Sequence, residues 1–188
     1  MDVLLSIQPK WCDLIARGYK TVEIRKSRPK IDVPFKCYIY CTLSGSKEFF
    51  VEQLQADVAE WNRGDWGNRK GNVIGEFICD HIVKMPYSEF ALGYSGFHHW
   101  WEERLPHWAY NLHGNACLAD NEIEAYLGKR TGYAWHISEL KIYEKPRELS
   151  EFCLANKRLA FDFGETYMTK TIGQPPQSWC YVEERASK

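Results

Sequence analysis

The sequence lacks a strong charge of either sign. It contains 24 Lys and Arg residues against 25 Asp and Glu residues, which gives a formal net charge of -1 at pH 7. A protein drawn to nucleic acid or to a membrane surface by its overall field would carry a clear positive excess. Any site for a polyanion must therefore be a local patch.

Long hydrophobic runs are also missing. No segment approaches the roughly 20 apolar residues of a membrane helix, so we expect no membrane association. The first residues, MDVLL, have neither the basic start nor the apolar stretch of a secretory signal peptide. The seven cysteines are odd in number and scattered. This pattern favours reduced thiols and a cytoplasmic location.

Several well-known site motifs are absent as well. No Gly-rich phosphate loop or dinucleotide fingerprint follows the first predicted strand, which excludes the commonest nucleotide-cofactor folds. His107, His113 and Cys117 are metal-ligand types, but their spacing is loose and no compact zinc motif is present. The sequence therefore predicts no cofactor and no metal site. His136 is more typical of a hydrogen-bonded sheet histidine than of a catalyst.

Aromatic residues are abundant, with 8 Trp, 11 Tyr and 9 Phe. Large rings fill protein cores, and they also stack on nucleic-acid bases. The 188 residues, 45% of them hydrophobic, are enough for one domain with a full core. We expect most of the rings to lie in that core.

Hydrophobic periodicity predicts alternating helices and strands. Predicted strands cover 3–7, 20–26, 35–42, 72–83 and 133–143, and predicted helices cover 9–17, 48–61 and 120–127. Pro9 suits a first helical turn, Asp120 is a suitable N-cap, and Gly18 and Gly128 suit helix ends. Several strands with few crossover helices favour an α+β fold around a small curved sheet or barrel.

Two regions complete the predicted organisation. Residues 86–115 are rich in Trp and His but have weak periodicity, so we interpret them as an insertion or lid. The C-terminal part, from 149 to 188, ends in an apolar run and should pack back on the rest of the chain. The whole chain, 1–188, is predicted to form one domain.

The densest polar cluster runs from Arg17 to Lys36, with seven basic residues against two acidic ones. In a chain without positive excess, this segment is a candidate phosphate-binding surface. We expect a basic cleft in which Glu23 and Arg25 lie beside Lys20, with Arg25, Lys26 and Arg28 as the phosphate contacts. A solvated strand and turn is the alternative, to which charge alone gives about half the weight.

Strand alternation places Thr21, Glu23 and Arg25 on one face, opposite Val22 and Ile24. A guanidinium can bind a phosphate or a base edge with two hydrogen bonds. A carboxylate can accept from a base amino group or act as a general base. The alternative is a structural ion pair between Glu23 and Arg25.

Two segments, LLSIQPKW at 4–11 and GYKTVEIR at 18–25, resemble the signature of ASCH-domain proteins, a branch of the PUA-like β-barrels. YAWHIS at 133–138 and PQSWCYV at 176–182 resemble features of longer bacterial and phage members. The resemblance covers most of the chain and is weakest over 86–115. It implies an α+β fold with a PUA-like, partly closed β-barrel and flanking helices. It also implies RNA or a nucleotide as the partner.

The same resemblance suggests a reaction. Some small members of the family are amidohydrolases on acetylated cytidine, with a lysine, a threonine and a glutamate in catalysis. The lysine falls on Lys20, and the threonine position falls on Glu23, with Thr21 nearby. In an enzyme, Lys20 would act as nucleophile or base, and Glu23 would orient a water or move a proton. The catalytic glutamate has no secure counterpart, and the stand-ins are Glu89, Glu122 and Glu124.

Tryptophans support two further hypotheses. Trp11 and Trp135 lie within the resembling motifs and could stack on bases; core packing is the alternative, favoured for two of Trp11, Trp135 and Trp179. The rings at 100, 101 and 108 motivate a different function, a protein-interaction module without catalysis, because exposed aromatic patches often mark partner surfaces.

Overall fold

The computed structural model describes residues 1–43, 69–86, 111–159 and 168–185. The chain divides into two compact units, the first made of 1–13, 36–77 and 141–188 and the second of 14–35 and 78–140. The predicted helix at 48–61 and most of the predicted insertion at 86–115 lie outside the described residues. The prediction that 1–188 is one domain stays a prediction.

The described helices and strands follow one another in a mixed order. They are β1 Asp2–Ile7, α1 Pro9–Ala16, β2 Val22–Arg25, β3 Phe35–Cys41, β4 Val73–Cys79, β5 Ile82–Met85, α2 Leu112–Ala116, α3 Asp120–Leu127, β6 Gly132–His136, β7 Ser138–Arg147, β8 Phe152–Leu159, β9 Met168–Thr171 and β10 Trp179–Glu184. A single 3₁₀ turn, Leu149–Glu151, precedes β8.

The first unit carries a sheet of seven strands in the order β7-β4-β3-β1-β10-β8-β9. The central strand β1 is parallel to β3 and antiparallel to β10, so Leu4 lies beside both Tyr38 and Cys180. Leu4, Tyr38, Phe152 and Val182 belong to one buried cluster. The C-terminal segment therefore contributes a strand next to the N-terminal strand.

The second unit carries a three-stranded antiparallel sheet in the order β2-β6-β5. Val22 and Ile24 of β2 are buried with residues from β5, α2, α3 and β6. The predicted alternation of β2 is thus confirmed on its apolar side. This packing fixes β2 and brings α2 and α3 close to it.

Two of the predicted strands are each divided in the structure, and one predicted helix cap is shifted. The predicted strand 72–83 is two strands, β4 and β5, separated by Asp80 and His81. The predicted strand 133–143 is also two strands, and the break falls at Ile137, whose N–H donates to the Thr21 carbonyl. α3 spans the predicted residues, but its N-cap is Ala119 and not Asp120.

The mixed α+β class is confirmed, and neither described sheet closes on itself, which is consistent with the predicted partly closed barrel. Gly18 has the left-handed backbone, with φ of 76°, that its predicted role at the end of α1 requires. Within the described part of the chain, no helix has the length and apolar character needed to cross a membrane.

Candidate functional site

The segment between α1 and β2 holds the first site residue in place through its backbone. After Gly18 ends the helix, the N–H of Lys20 donates to the Leu14 carbonyl at 3.0 Å. The N–H of Thr21 donates to the Asn115 carbonyl at 2.9 Å. Backbone hydrogen bonds at Lys20 and Thr21 therefore fix the chain before β2 begins.

Lys20 is buried, with 2% of its surface exposed. Its Nζ donates to the carbonyl oxygens of Val22 at 2.8 Å and of Ala116 at 2.7 Å. Glu23 Oε2 lies 3.3 Å from the same nitrogen. An ammonium group has three donors and no acceptor, and three oxygen atoms surround this one. The geometry fits a charged lysine that also satisfies the last carbonyl of α2.

Glu23 joins Lys20 to Arg25. Its other carboxylate oxygen, Oε1, lies 3.0 Å from Arg25 Nε. Glu23 and Arg25 are 7% and 6% exposed. Buried charges are tolerated when they are paired and hydrogen-bonded, and removing one partner is costly. We refer to Lys20, Glu23 and Arg25 as the β2 triad.

One of the predicted phosphate contacts, Arg25, belongs to the triad. Arg25 was predicted to line a cleft and contact phosphate, but it is buried and paired with Glu23 because β2 packs inside its unit. Lys26, Arg28 and Lys30, which follow the strand, are exposed. We refer to these three as the basic rim, and it is smaller than the seven basic residues of the sequence segment.

An aromatic ring lies beside the basic rim. Lys26 Nζ is 4.8 Å from the centre of the Tyr126 ring, which belongs to α3. Tyr126 is 40% exposed. Burial of its hydroxyl raises the pKa of Tyr126, the charge of Arg25 opposes this, and the charge of Glu23 adds to it. The charges of Arg25 and Glu23 therefore both act on the Tyr126 hydroxyl.

The tryptophans of the resembling motifs lie in different surroundings. Trp135 is 0% exposed and its ring packs edge-on against Phe35, with centroids 5.8 Å apart. The ring therefore has no face accessible to a base in this structure, and the assignment of Trp135 to nucleic-acid binding stays a prediction. Trp11 is half-buried in the first unit, with Lys10 Nζ 4.5 Å from its ring centre.

The remaining predicted catalytic residues are not gathered around Lys20 by any described contact. Thr21 is half-buried, and its backbone N–H and carbonyl are both used in hydrogen bonds. Glu122 is exposed and accepts a hydrogen bond from the Ala119 N–H, 2.8 Å away, at the start of α3. Glu124 is exposed on α3, and Glu89 lies outside the described residues.

A second polar cluster consists of Asp80, His81 and His136. His136 Nδ1 is 2.6 Å from Asp80 Oδ1, and His81 Nδ1 is 3.4 Å from Asp80 Oδ2. Burial raises the pKa of Asp80, but the hydrogen bond and charge of His136 outweigh it, so the pKa lies below its usual range. These residue types are metal ligands, and one ligand atom of each lies within 4.8 Å of the others.

Two features of the second unit were missed by sequence reasoning. Tyr126 was not singled out, because helical spacing alone cannot show that α3 presents it to Lys26. Asp80 and His81 were placed inside a long strand, although two adjacent polar residues in an apolar run are a signal for a break. His136 was considered, but its partner Asp80 lies 56 residues away in the chain.

Comparison with known proteins agrees with the predicted family. Residues 5–40 match the family model described as the ASCH domain. No curated protein matches the sequence. Among solved structures, the crystal structure of ASCH from Zymomonas mobilis has a TM-score of 0.54 and 18% identity. The alignment covers 97% of this chain and 87% of that one.

Two mutant forms of the Zymomonas mobilis protein give similar values. One has a TM-score of 0.54 at 17% identity, with 97% of this chain and 90% of the other covered. The second has a TM-score of 0.52 at 18% identity, with 97% and 88% covered. At such low sequence identity, these structural similarities show a shared fold and nothing more. Residues 5–40 are therefore similar to the ASCH domain, and the likeness to ASCH structures over nearly all of the chain shows a shared fold.

Proposed function

We propose that this protein binds RNA or a nucleotide through the basic rim and Tyr126. The observation that carries the proposal is the contact between Lys26 and the exposed Tyr126 ring, 4.8 Å apart. Lys26 Nζ lies over one face of the ring, so the ammonium group can bind a phosphate while the opposite face stacks on a base. The PUA-like fold of ASCH domains, often linked to RNA binding, supports the same conclusion.

The β2 triad supports this surface electrostatically. It contains two cationic groups and one carboxylate, so with all three charged it contributes one positive charge beside Tyr126. Paired charges in a buried setting are screened less by salt than exposed ones. The triad also gives Arg25 a fixed position, because Glu23 is itself fixed by Lys20.

The salt dependence of RNA binding tests the proposal. Binding of a labelled single-stranded RNA oligonucleotide should weaken steeply as salt rises, because phosphate contacts release counterions. Replacing both Lys26 and Arg28 with Ala should lower the slope of log affinity against log salt by about 1.4, from roughly 0.7 per contact on a single strand. Binding that ignores salt, or a double variant with an unchanged slope, would contradict the proposal.

The aromatic contribution is tested separately at Tyr126. Tyr126→Ala should reduce affinity by about 1–3 kcal/mol if a base stacks on the ring. Tyr126→Phe keeps the ring and should bind nearly as well as the parent protein. Equal losses in the two variants would show that the hydroxyl, and not the ring face, is responsible.

Catalysis by Lys20, Glu23 and Thr21 has less support than binding. A lysine nucleophile or base must reach its substrate with a free electron pair. Lys20 is 2% exposed, and three oxygen atoms surround its nitrogen. We therefore expect no deacetylation of acetylated cytidine. Product formed by the parent protein and lost in Lys20→Ala would favour the enzyme instead.

The protein-interaction hypothesis depends on Trp100, Trp101 and Trp108. These residues lie outside the described part of the chain, so no structural observation favours that function over RNA binding. It becomes the better explanation if the protein binds no RNA or nucleotide at low salt.

A further inference from the structure

The cluster of Asp80, His81 and His136 is separate from the proposed RNA-binding surface in its residues and chemistry. Asp80 and His81 connect β4 to β5, and His136 is the last residue of β6. The His136 N–H donates to the His81 carbonyl at 3.0 Å, which ties the connection to the strand end. Two imidazoles and one carboxylate are thus held together by backbone as well as side-chain bonds.

All three side chains of the cluster are partly exposed to solvent, to different degrees. The His136 side chain is 18% exposed, Asp80 is 33% exposed and His81 is 56% exposed. An ion could therefore reach all three from solvent. Water could complete its coordination, because the protein supplies three groups and Zn²⁺ commonly takes four ligands.

The distances fit an ion after a small adjustment. Bonds of about 2.0–2.2 Å from zinc to nitrogen and oxygen place two ligand atoms roughly 3.3–3.6 Å apart in a tetrahedron. His81 Nδ1 and Asp80 Oδ2 are already 3.4 Å apart. His136 Nδ1 and Asp80 Oδ1 are 2.6 Å apart, a hydrogen-bond distance. An ion would replace the shared proton and open this contact.

We propose that Asp80, His81 and His136 form a site for a divalent transition-metal ion, with Zn²⁺ as the type case. Imidazole nitrogen suits zinc, copper, nickel and iron, whereas Mg²⁺ and Ca²⁺ prefer oxygen ligands alone. The site should therefore bind Zn²⁺ or Co²⁺ and ignore Mg²⁺. The three protein ligands leave a coordination position for water or a ligand atom from outside.

Metal binding to the reduced full-length chain tests this site directly. Titration calorimetry with Zn²⁺ and with Co²⁺ should give one site, and Asp80→Asn, His81→Ala and His136→Ala should each weaken it on the order of tenfold or more. The Co²⁺ complex should lack the near-ultraviolet charge-transfer bands of a thiolate ligand, which separates this cluster from the cysteines. An excess of Mg²⁺ should not compete.

His81→Ala is the decisive variant, because the exposed side chain can be removed with little effect on folding. Its circular dichroism spectrum should match that of the parent protein. A double variant, His98→Ala with His99→Ala, removes the adjacent histidine pair of the sequence and should bind within twofold of the parent. Unchanged affinity in the folded His81→Ala variant would overturn the proposal. So would loss of binding in the control, or no zinc binding by the parent protein.

Discussion

Lys20 and Lys26 lie at the two ends of β2, and they illustrate two uses of the same side chain. Lys20 is buried among two carbonyl oxygens and a carboxylate. Lys26 is exposed and lies over the Tyr126 ring. Lys20 stabilises the fold, because its loss would leave buried acceptors without this donor. Lys26 is available to a ligand.

Replacing Lys20 with Met should therefore destabilise the protein strongly. The change leaves the Val22 and Ala116 carbonyls without this donor and leaves Glu23 with one cation fewer. Breaking a buried pair costs about 3–5 kcal/mol. Urea unfolding measures the change, with Lys26→Met as a control that should stay within about 0.5 kcal/mol of the parent. Equal stability of the two variants would contradict the assigned roles.

The sequence predicted the pairing of Glu23 with Arg25 as one alternative, because strand alternation puts them on one face. It did not predict their burial. Burial depends on α2 and α3, and the Ala116 carbonyl that binds Lys20 is 96 residues away from it in the chain. A local pattern identifies the face of a strand but not the element that covers it.

Strand ends in the first unit are connected by a network around Glu184 of β10. Its Oε1 accepts from the Tyr38 hydroxyl at 2.6 Å and from Arg147 Nη1 at 3.0 Å. Tyr38 also donates to Asp2 at 3.2 Å. The Tyr38 hydrogen bond lowers the pKa of Glu184, burial opposes this, and Arg147 lowers it further. This network connects β1, β3, β7 and β10.

The effect of Tyr38→Phe on the free energy of unfolding should depend on pH. Because the pKa of Glu184 is depressed in the folded state, its contribution is present above the usual glutamate value of 4.5 and is lost as pH falls through the lower folded value. The variant should be less stable by about 1 kcal/mol at pH 7. Its deficit should shrink below pH 4.5, as followed by urea unfolding across pH.

A Glu184→Gln background provides the matching control for that measurement. With this carboxylate already removed, the cost of Tyr38→Phe in free energy of unfolding should vary less with pH, because Asp2 is then the only carboxylate among the described contacts of the hydroxyl. A deficit in the natural background that persisted unchanged into strong acid would show that the hydroxyl acts through another group.

Gly75 in β4 tests how tightly the first unit packs around that strand. An added Cβ would lie 2.5 Å from the Lys141 carbonyl oxygen and 3.0 Å from Ile142 Cδ1. Such an overpacked position costs about 1–3 kcal/mol. Gly75→Ala should therefore lower the free energy of unfolding, whereas Gly173→Ala, with no heavy atom within 4 Å, should change it little. Equal effects would argue against close packing at β4.

At the element level, the sequence predicted most strands and helices but misplaced several ends. Apolar periodicity located β1, β2, β3 and α3 to within two residues, because each carries several buried apolar side chains. It merged β4 with β5 and β6 with β7. In both pairs the break depends on contacts made elsewhere: Asp80 binds His136, and the backbone of Ile137 binds Thr21.

Basic and acidic residues are almost equal in number over the whole molecule. Its fold and its ligand therefore depend on strand topology and on where the charges lie, more than on composition. Pairing of β1 with β10 joins the two ends of the sequence, and no local pattern predicts such a pairing. The order of the periodic segments and the resemblance to ASCH domains both predicted the α+β class. The net charge of -1 likewise limits an RNA site to a local surface.

A local RNA site predicts that the effect of a charge substitution on RNA binding depends on its position. Lys26→Glu and Lys145→Glu change the net charge of the chain equally, and both lysines are exposed. Lys26 lies beside Tyr126 in the second unit, whereas Lys145 belongs to the first. If binding depends on a local patch, Lys26→Glu should weaken RNA binding on the order of tenfold at low salt, and Lys145→Glu should stay within about twofold. Fluorescence anisotropy with one labelled single-stranded RNA measures both. Equal losses would mean that RNA responds to the overall field of the molecule, which is not expected for a chain of net charge -1.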